Sequence, residues 1–321
     1  MASLKEIKNR IASVNSTRKI TSAMKMVASS KLHHAQVMIE NMLPYESMLE
    51  HILKTFLASE ADAHTVYSVE RPVKKVAIIA YSSNSSLCGG FNANIIKSLQ
   101  KAVDEYKDLG LDNIVVYPVG RKVAEKASKL GLNIAGEYNS LCDHPNAEQC
   151  LDVAEEVAKR FADGEFDKVE LIYHHFKSAG SQILTRKTFL PIDITEIDFT
   201  DEKNRDLTST IATKESQEYL RKHATEQKVE DVQAKPLNDN FIVEPDMDTV
   251  LSKLIPQYLN LQVYTALLDS NASEHAARMV AMQTATDNAD ELLRTLNLQY
   301  NKSRQQAITN ELLDLAGGSQ D

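Results

Sequence analysis

The chain of 321 residues has no tryptophan, and aromatic residues make up only 6% of it. Glycine (10) and proline (8) are scarce as well. Few large rings and few backbone breakers argue against a β-sandwich or barrel and favour long helices. No run of 18 or more apolar residues occurs, so no membrane-spanning helix is expected. The three cysteines, Cys88, Cys142 and Cys150, are odd in number and lack metal-site spacing, which suits a reducing compartment. The opening MASLKEIKNR lacks the apolar core of a secretory signal, and Glu6 with a strong helical pattern speaks against a transit peptide.

The bulk composition, 43% hydrophobic and 25% charged, is that of a folded soluble protein and excludes a wholly disordered or collagen-like chain. Charge is spread unevenly. Residues 1–34 carry Lys5, Lys8, Arg10, Arg18, Lys19, Lys25 and Lys31 against the single acid Glu6, a net +6, whereas the whole chain is −9. A basic helix on an acidic protein implies a partner with an acidic surface, unless it is merely a solvated face. Nucleic acid is not the expected partner, because no aromatic residues interleave the basic ones.

Residues 1–57 read as one coiled-coil helix. The apolar steps are Leu4, Ile7, Ile11, Val14, then Ile20, Met24, Val27, with a slip between Val14 and Ile20 where Thr17 and Arg18 fall on the seam. Pro44 is expected to kink or interrupt it. Residues 73–194 alternate strands and helices, which makes an α/β domain with a mainly parallel sheet. Its strands are expected at Val73–Tyr81, Ile114–Val119, Asn133–Tyr138 and Val169–Phe176, with Ser181–Leu190 returning antiparallel through a turn at Ser178–Gly180. Residues 195–240 form a charged insertion or linker, with ten acids and seven bases within 195–235 and a helical stretch around Lys214–Glu226. Residues 246–316 return to a helical pattern interrupted only by Pro256, long enough for a rod of roughly 100 Å at 1.5 Å per residue. Two terminal helices with seams too narrow to fold alone are expected to pair antiparallel. The fold class is therefore a long antiparallel coiled coil of the N- and C-terminal helices with a central Rossmann-like α/β domain.

Catalytic chemistry is thin. The loop Leu87–Asn92 (LCGGFN) lies between a strand and a helix, where phosphate sites occur, but it fits neither common Gly-rich fingerprint. It is a tight turn or a phosphate cradle. Cys88 has no base placed near it and reads as a buried thiol. In His33–His34 and His174–His175, neighbouring side chains diverge, so neither pair shares a metal easily. No catalytic, cofactor or metal constellation stands out. The C-terminal helix is thin and polar, with Glu274, Arg278, Thr286, Asp287, Asn288, Arg304, Gln305, Thr309 and Glu311 among small residues such as Ala276, Ala277, Ala281, Ala285 and Ala289.

Leu4–Leu32 (LKEIKNRIASVNSTRKITSAMKMVASSKL) resembles the N-terminal signature of the gamma subunits of F-type, proton-translocating ATP synthases. Ser273–Leu292 (SEHAARMVAMQTATDNADEL), continued by Tyr300–Leu312, resembles their C-terminal signature, and LCGGFN and Glu244–Pro245–Asp246 fit too. The likeness covers about four-fifths of the chain. It implies a central rotor shaft without catalytic residues of its own, a non-catalytic subunit of an enzyme complex. The shaft's paired helices would enter a head of alternating alpha and beta subunits, and its α/β domain would meet the epsilon subunit and the proton-carrying c-ring. The resemblance places Lys19, Met24 and Lys25 against an acidic lever of a beta subunit. It gives Arg278, Arg304, Gln305, Thr309 and Glu311 polar contacts with the head, with Glu274 beside them. It implies a peripheral position on the cytoplasmic face of a bacterial inner membrane. The alternatives are a nucleotide-binding α/β enzyme with helical arms and a static coiled-coil scaffold. Three features depart from the usual pattern. Asn84, Ser85 and Ser86 stand where an acid and a base precede Leu-Cys-Gly-Gly. The C-terminus, Ala316–Asp321, replaces a small apolar tail. The 195–235 insertion is long, lacks the cysteine pair of chloroplast forms, and is expected on the α/β domain away from the head.

Overall fold

A computed structural model describes residues 4–59, 66–192, 243–244 and 246–317. The charged insertion, with its expected helical stretch, lies outside the described residues. Helix α1 spans Leu4–Ser59; strands and helices then follow as β1 (Val76–Tyr81), α2 (Phe91–Glu105), β2 (Ile114–Val119), α3 (Arg121–Lys129), β3 (Asn133–Ile134), α4 (Asn139–Asp143), α5 (Ala147–Ala162), β4 (Lys168–Ser178) and β5 (Ser181–Leu190). Helix α6 spans Met247–Gly317. The chain divides into two compact units, one of Met1–Ala28 with Arg278–Asp321 and one of Ser29–Ala277.

The larger unit holds a five-stranded sheet in the order β3-β2-β1-β4-β5. Strand β1 pairs parallel with β2 and β4, β3 pairs parallel with β2, and β5 runs antiparallel to β4. Alternation along each strand sorts side chains to two faces. Val76, Ile78 and Ala80 of β1 join Ile114 and Val116 of β2 under Ile95, Leu99 and Ala102 of α2 and Val123 and Ala127 of α3. Ala77, Ile79 and Tyr81 join Val115, Tyr117 and Val119 on the other face, against Val153, Val157 and Phe161 of α5, Leu49 and Leu53 of α1, and Leu251–Leu267 of α6. Helices cover both faces, so β1 and β2 are buried at every position, which is why these strands read as unbroken apolar runs. Each fully buried large side chain contributes about 1.5–3 kcal/mol.

Three local expectations change. Pro44 and Pro256 both lie inside continuous helix. Each proline removes one amide donor from the carbonyl four residues earlier, and those residues, Glu40 and Ser252, are exposed, so water can solvate that end. Burial of Leu49, Leu53, Leu251 and Ile255 next to the prolines outweighs the loss. The strand expected over Asn133–Tyr138 stops at Ile134, since Gly136 takes φ +75° and turns the chain into the unexpected α4.

Candidate partner interface

In the smaller unit, α1 and α6 form an antiparallel pair. Arg18 donates to Asp290 at 2.9 Å, and three residues on, the Thr21 and Thr286 hydroxyls meet at 2.8 Å, so partner numbers fall as α1 numbers rise. On α6 the inward positions are Met279, Met282, Thr286, Ala289, Leu293, Leu296, Tyr300, Ser303 and Ala307, strictly alternating steps of three and four. On α1 the same rhythm runs Leu4, Ile7, Ile11, Val14, Arg18, Thr21, Lys25 and Ala28. The expected slip is absent. Ile20 and Val27, expected on the seam, are 60% and 58% exposed. The heptad holds its phase by accepting Arg18 and Thr21, whose polar groups are satisfied across the pair, and the apolar residues are left outside.

Met26 is exposed alongside Ile20 and Val27. Together with Lys19 they make a surface both basic and apolar, and the apolar half was missed from sequence. Counting the strict seven-residue phase from Leu4 through Ala28 would have revealed it. The pairing register places Met24 and Lys25 at the level of Met282 and Gln283, one turn from Arg278. Lys19 and Arg304 are exposed; Met24, Lys25 and Arg278 are half-buried. Towards its C-terminal end α6 leaves Ile308, Leu312 and Leu313 exposed.

The larger unit answers the Gly-rich-loop question with geometry. Asn92 of α2 reaches back into the loop: its amide oxygen accepts from the Ser83 backbone N–H at 3.0 Å, and its amide nitrogen donates to Ser83 Oγ (2.8 Å) and Cys88 Sγ (3.1 Å). Asn84 donates to the Asn139 carbonyl (2.7 Å) and Asp143 (2.8 Å) and accepts from the Arg121 N–H (3.0 Å). The loop thus ties β1 to α2, α3 and α4, and Leu87 (φ +69°) and Gly89 (φ +58°) give it its turn. Parallel sheets take ligands where strand order reverses, beyond the C-terminal ends of the central strands. Here that place, at the ends of β1 and β4, meets α6: Tyr81 donates to the Val263 carbonyl (3.0 Å), Ser273 to the His174 carbonyl (3.2 Å), and His175 pairs with Asp269 (2.8 Å). The tight-turn reading accounts for these contacts.

Cys88 is buried among these groups. Burial pushes the Cys150 thiol up to about 12 and raises Cys142 further, with Glu274 and Asp143 adding to it. Neither forms thiolate near neutral pH. His174 stacks on Phe91 with ring centres 4.5 Å apart, while its neighbour His175 turns to Asp269. Among the described residues, no three His, Cys, Asp or Glu side chains are placed to hold a metal.

A family model described as ATP synthase matches residues 3–320. Proteins named ATP synthase gamma chain are similar from end to end: 52% identical in Phocaeicola vulgatus and 51% in Bacteroides thetaiotaomicron, each over 99% of both chains. The chain belongs to the ATP synthase gamma-chain family. Its fold is also similar to that of a chain in the Tetrahymena thermophila mitochondrial ATP synthase central stalk and c-ring (TM-score 0.54, 24% identity, 83% of this chain and 99% of that one). A chain of the Euglena gracilis mitochondrial ATP synthase rotor is similar in fold too (TM-score 0.54, 17% identity, 95% and 98% covered).

For a gamma-chain member, the residues singled out from sequence fall into three places. Lys19, Met24, Lys25 and Arg278 lie along the helical pair, with Met24 and Lys25 about one turn from Arg278 and Lys19 about one and a half turns beyond them. Arg304, Gln305, Thr309 and Glu311 are exposed on α6, with Arg304 26 residues and about 40 Å of helix from Arg278. Thr309 donates to the Gln305 carbonyl at 2.9 Å. Glu274 stands apart, 7% exposed within the larger unit, so little of it is available to a partner.

Proposed function

We propose that this chain is the central rotor shaft of an F-type ATP synthase, coupling proton-driven rotation of a c-ring to the conformational cycle of the catalytic beta subunits. The observation that carries it is end-to-end similarity to proteins named ATP synthase gamma chain. The antiparallel pair supports it: a thin helical element with basic and polar groups outside suits short-lived contacts. Exposed ion pairs and hydrogen bonds are worth about 0.2–1 kcal/mol each, so they hold a dwell and release within one step.

In this reading Lys19, Met24 and Lys25 meet an acidic lever of a beta subunit, and the apolar Ile20, Met26 and Val27 pack beside them. Arg278, Arg304, Gln305, Thr309 and Glu311 make polar contacts with the alpha and beta subunits. The α/β unit meets epsilon and the c-ring, and the nucleotide chemistry stays in the head, so this chain is itself non-catalytic. No described helix is long and apolar enough to cross a membrane, and the chain sits peripherally on the cytoplasmic face of a bacterial inner membrane.

The test is co-expression with the cognate alpha and beta subunits, size separation and a MgATP hydrolysis assay. One copy per hexamer, with turnover that depends on it, is expected. Arg278→Ala should leave the stoichiometry intact and lower turnover about tenfold, equivalent to about 1.4 kcal/mol. A complex whose ATPase rate ignores this chain would make it a static scaffold. Micromolar ATP or NAD binding by the chain alone would favour a nucleotide-binding enzyme.

A further inference from the structure

Between residues 266 and 276, α6 is buried on every side, polar residues included: Asp269, Ser270, Asn271, Ser273, Glu274 and His275 are all at most 8% exposed. A helix enclosed all round is ordinarily apolar all round. These polar groups bond in several directions. Asp269 Oδ2 lies 2.8 Å from His175 Nδ1 and Ser273 Oγ donates to the His174 carbonyl, so both hold β4. Asn271, about 200° away around the helix, donates to the Cys142 carbonyl of α4 at 2.7 Å. One turn and a half earlier, the Val263 carbonyl accepts from Tyr81 at the end of β1. The apolar contacts of the same stretch are of a different kind. Leu268, Ala272 and Ala276 repeat every four residues, and apolar contact is non-directional, so a slide of one turn, about 5.4 Å, would again set apolar side chains against apolar neighbours, though of different size. The hydrogen bonds survive no such slide and no rotation. A buried polar contact adds little net stability over an apolar one, and its best-attested use is to select one arrangement.

We propose that this polar grip, centred on the His175–Asp269 pair, is what keeps α6 from turning or sliding within the α/β unit under load, and that His175 and Asp269 are positioning residues for rotary coupling. The proposal rests on the rotor reading above. It requires that loosening the grip separate ATP hydrolysis from the work that hydrolysis drives.

The experiment uses the complete synthase in sealed membrane vesicles, measuring ATP-driven proton uptake and ATP hydrolysis in parallel. Asp269→Ala should keep hydrolysis within twofold of wild type and lower the uptake-to-hydrolysis ratio at least threefold. Asp269→Asn, which retains a carbonyl oxygen for the His175 ring N–H, should restore at least half of that ratio. If Asp269→Ala blocks assembly, the double variant Tyr81→Phe/Ser273→Ala, which deletes two hydroxyl bonds and leaves no buried charge unpaired, is read by the same ratio. A wild-type ratio in assembled variant complexes overturns the proposal, including when the amount of complex falls, because that is what a packing role alone would give. Absence of proton uptake by the wild-type complex would instead overturn the rotor reading.

Discussion

Gly120 shows how far one residue constrains this fold. It has φ +107°, and a Cβ there would sit 2.2 Å from the Ser82 carbonyl oxygen, backbone that cannot step aside. Gly120→Ala should destabilise the α/β unit by about 2–4 kcal/mol, seen as a lower denaturant midpoint. Two buried ionisable groups set an acid limit. Burial lowers His174 to about 4, so the folded state holds it neutral while the unfolded chain protonates it below about 6.5. Its contribution is intact above that value and is lost as pH falls towards 4, on the order of 3 kcal/mol in all. Glu170 is desolvated, which alone would raise it, but hydrogen bonds from Arg186 and Tyr106 and the charges of Arg186 and Lys168 hold it below the usual carboxylate range. Its stabilisation is present above about 4.5 and is lost as pH falls further, below the His174 window. Melting temperature against pH should therefore decline from about pH 6.5 downward, and His174→Gln should flatten the upper part of that decline.

For the helical pair, the polar layer sets the expectation. Arg18 and Asp290 are 39% and 43% exposed, so Arg18→Ala should cost no more than about 1 kcal/mol. Thr21 and Thr286 sit deeper, and replacing both hydroxyls by methyls leaves no donor stranded. Thr21→Val with Thr286→Val should be neutral or raise thermal stability by up to about 1 kcal/mol, followed by helical circular dichroism. A lower melting point would mean that the hydroxyl pair is needed for the helices to meet. The periodicity already supplied the helices and their antiparallel pairing. It misjudged the α1 seam because Ile20 and Val27 are better apolar residues than Arg18 and Thr21, and local hydrophobicity cannot see a polar partner some 270 residues away.

Over the whole molecule, charge predicts how the chain associates. The first 34 residues are strongly basic on a chain of net charge −9, and Lys19 and Lys25 flank exposed apolar residues. Assembly with an acidic partner should slow as salt rises from about 0.05 to 0.5 M, because the Debye length shrinks well below 10 Å. Lys19→Glu with Lys25→Glu should remove most of that salt dependence in a stopped-flow binding measurement. An unchanged salt profile would assign the contact to the apolar residues.

Composition and period by themselves determined the long terminal helices, the parallel sheet between them and the antiparallel return of Ser181–Leu190. These are local properties: a seven-residue rhythm, buried runs of Val and Ile, a turn of small residues. The family signatures, being long contiguous strings, were legible for the same reason. Only the tertiary structure decided which residues face outward on α1, that α6 passes where the sheet would otherwise open to a ligand, and that Asp269, Asn271 and Ser273 grip β4 and α4. Each of those depends on groups roughly a hundred or more residues apart, and no local pattern records whether a polar side chain will find its partner or meet water.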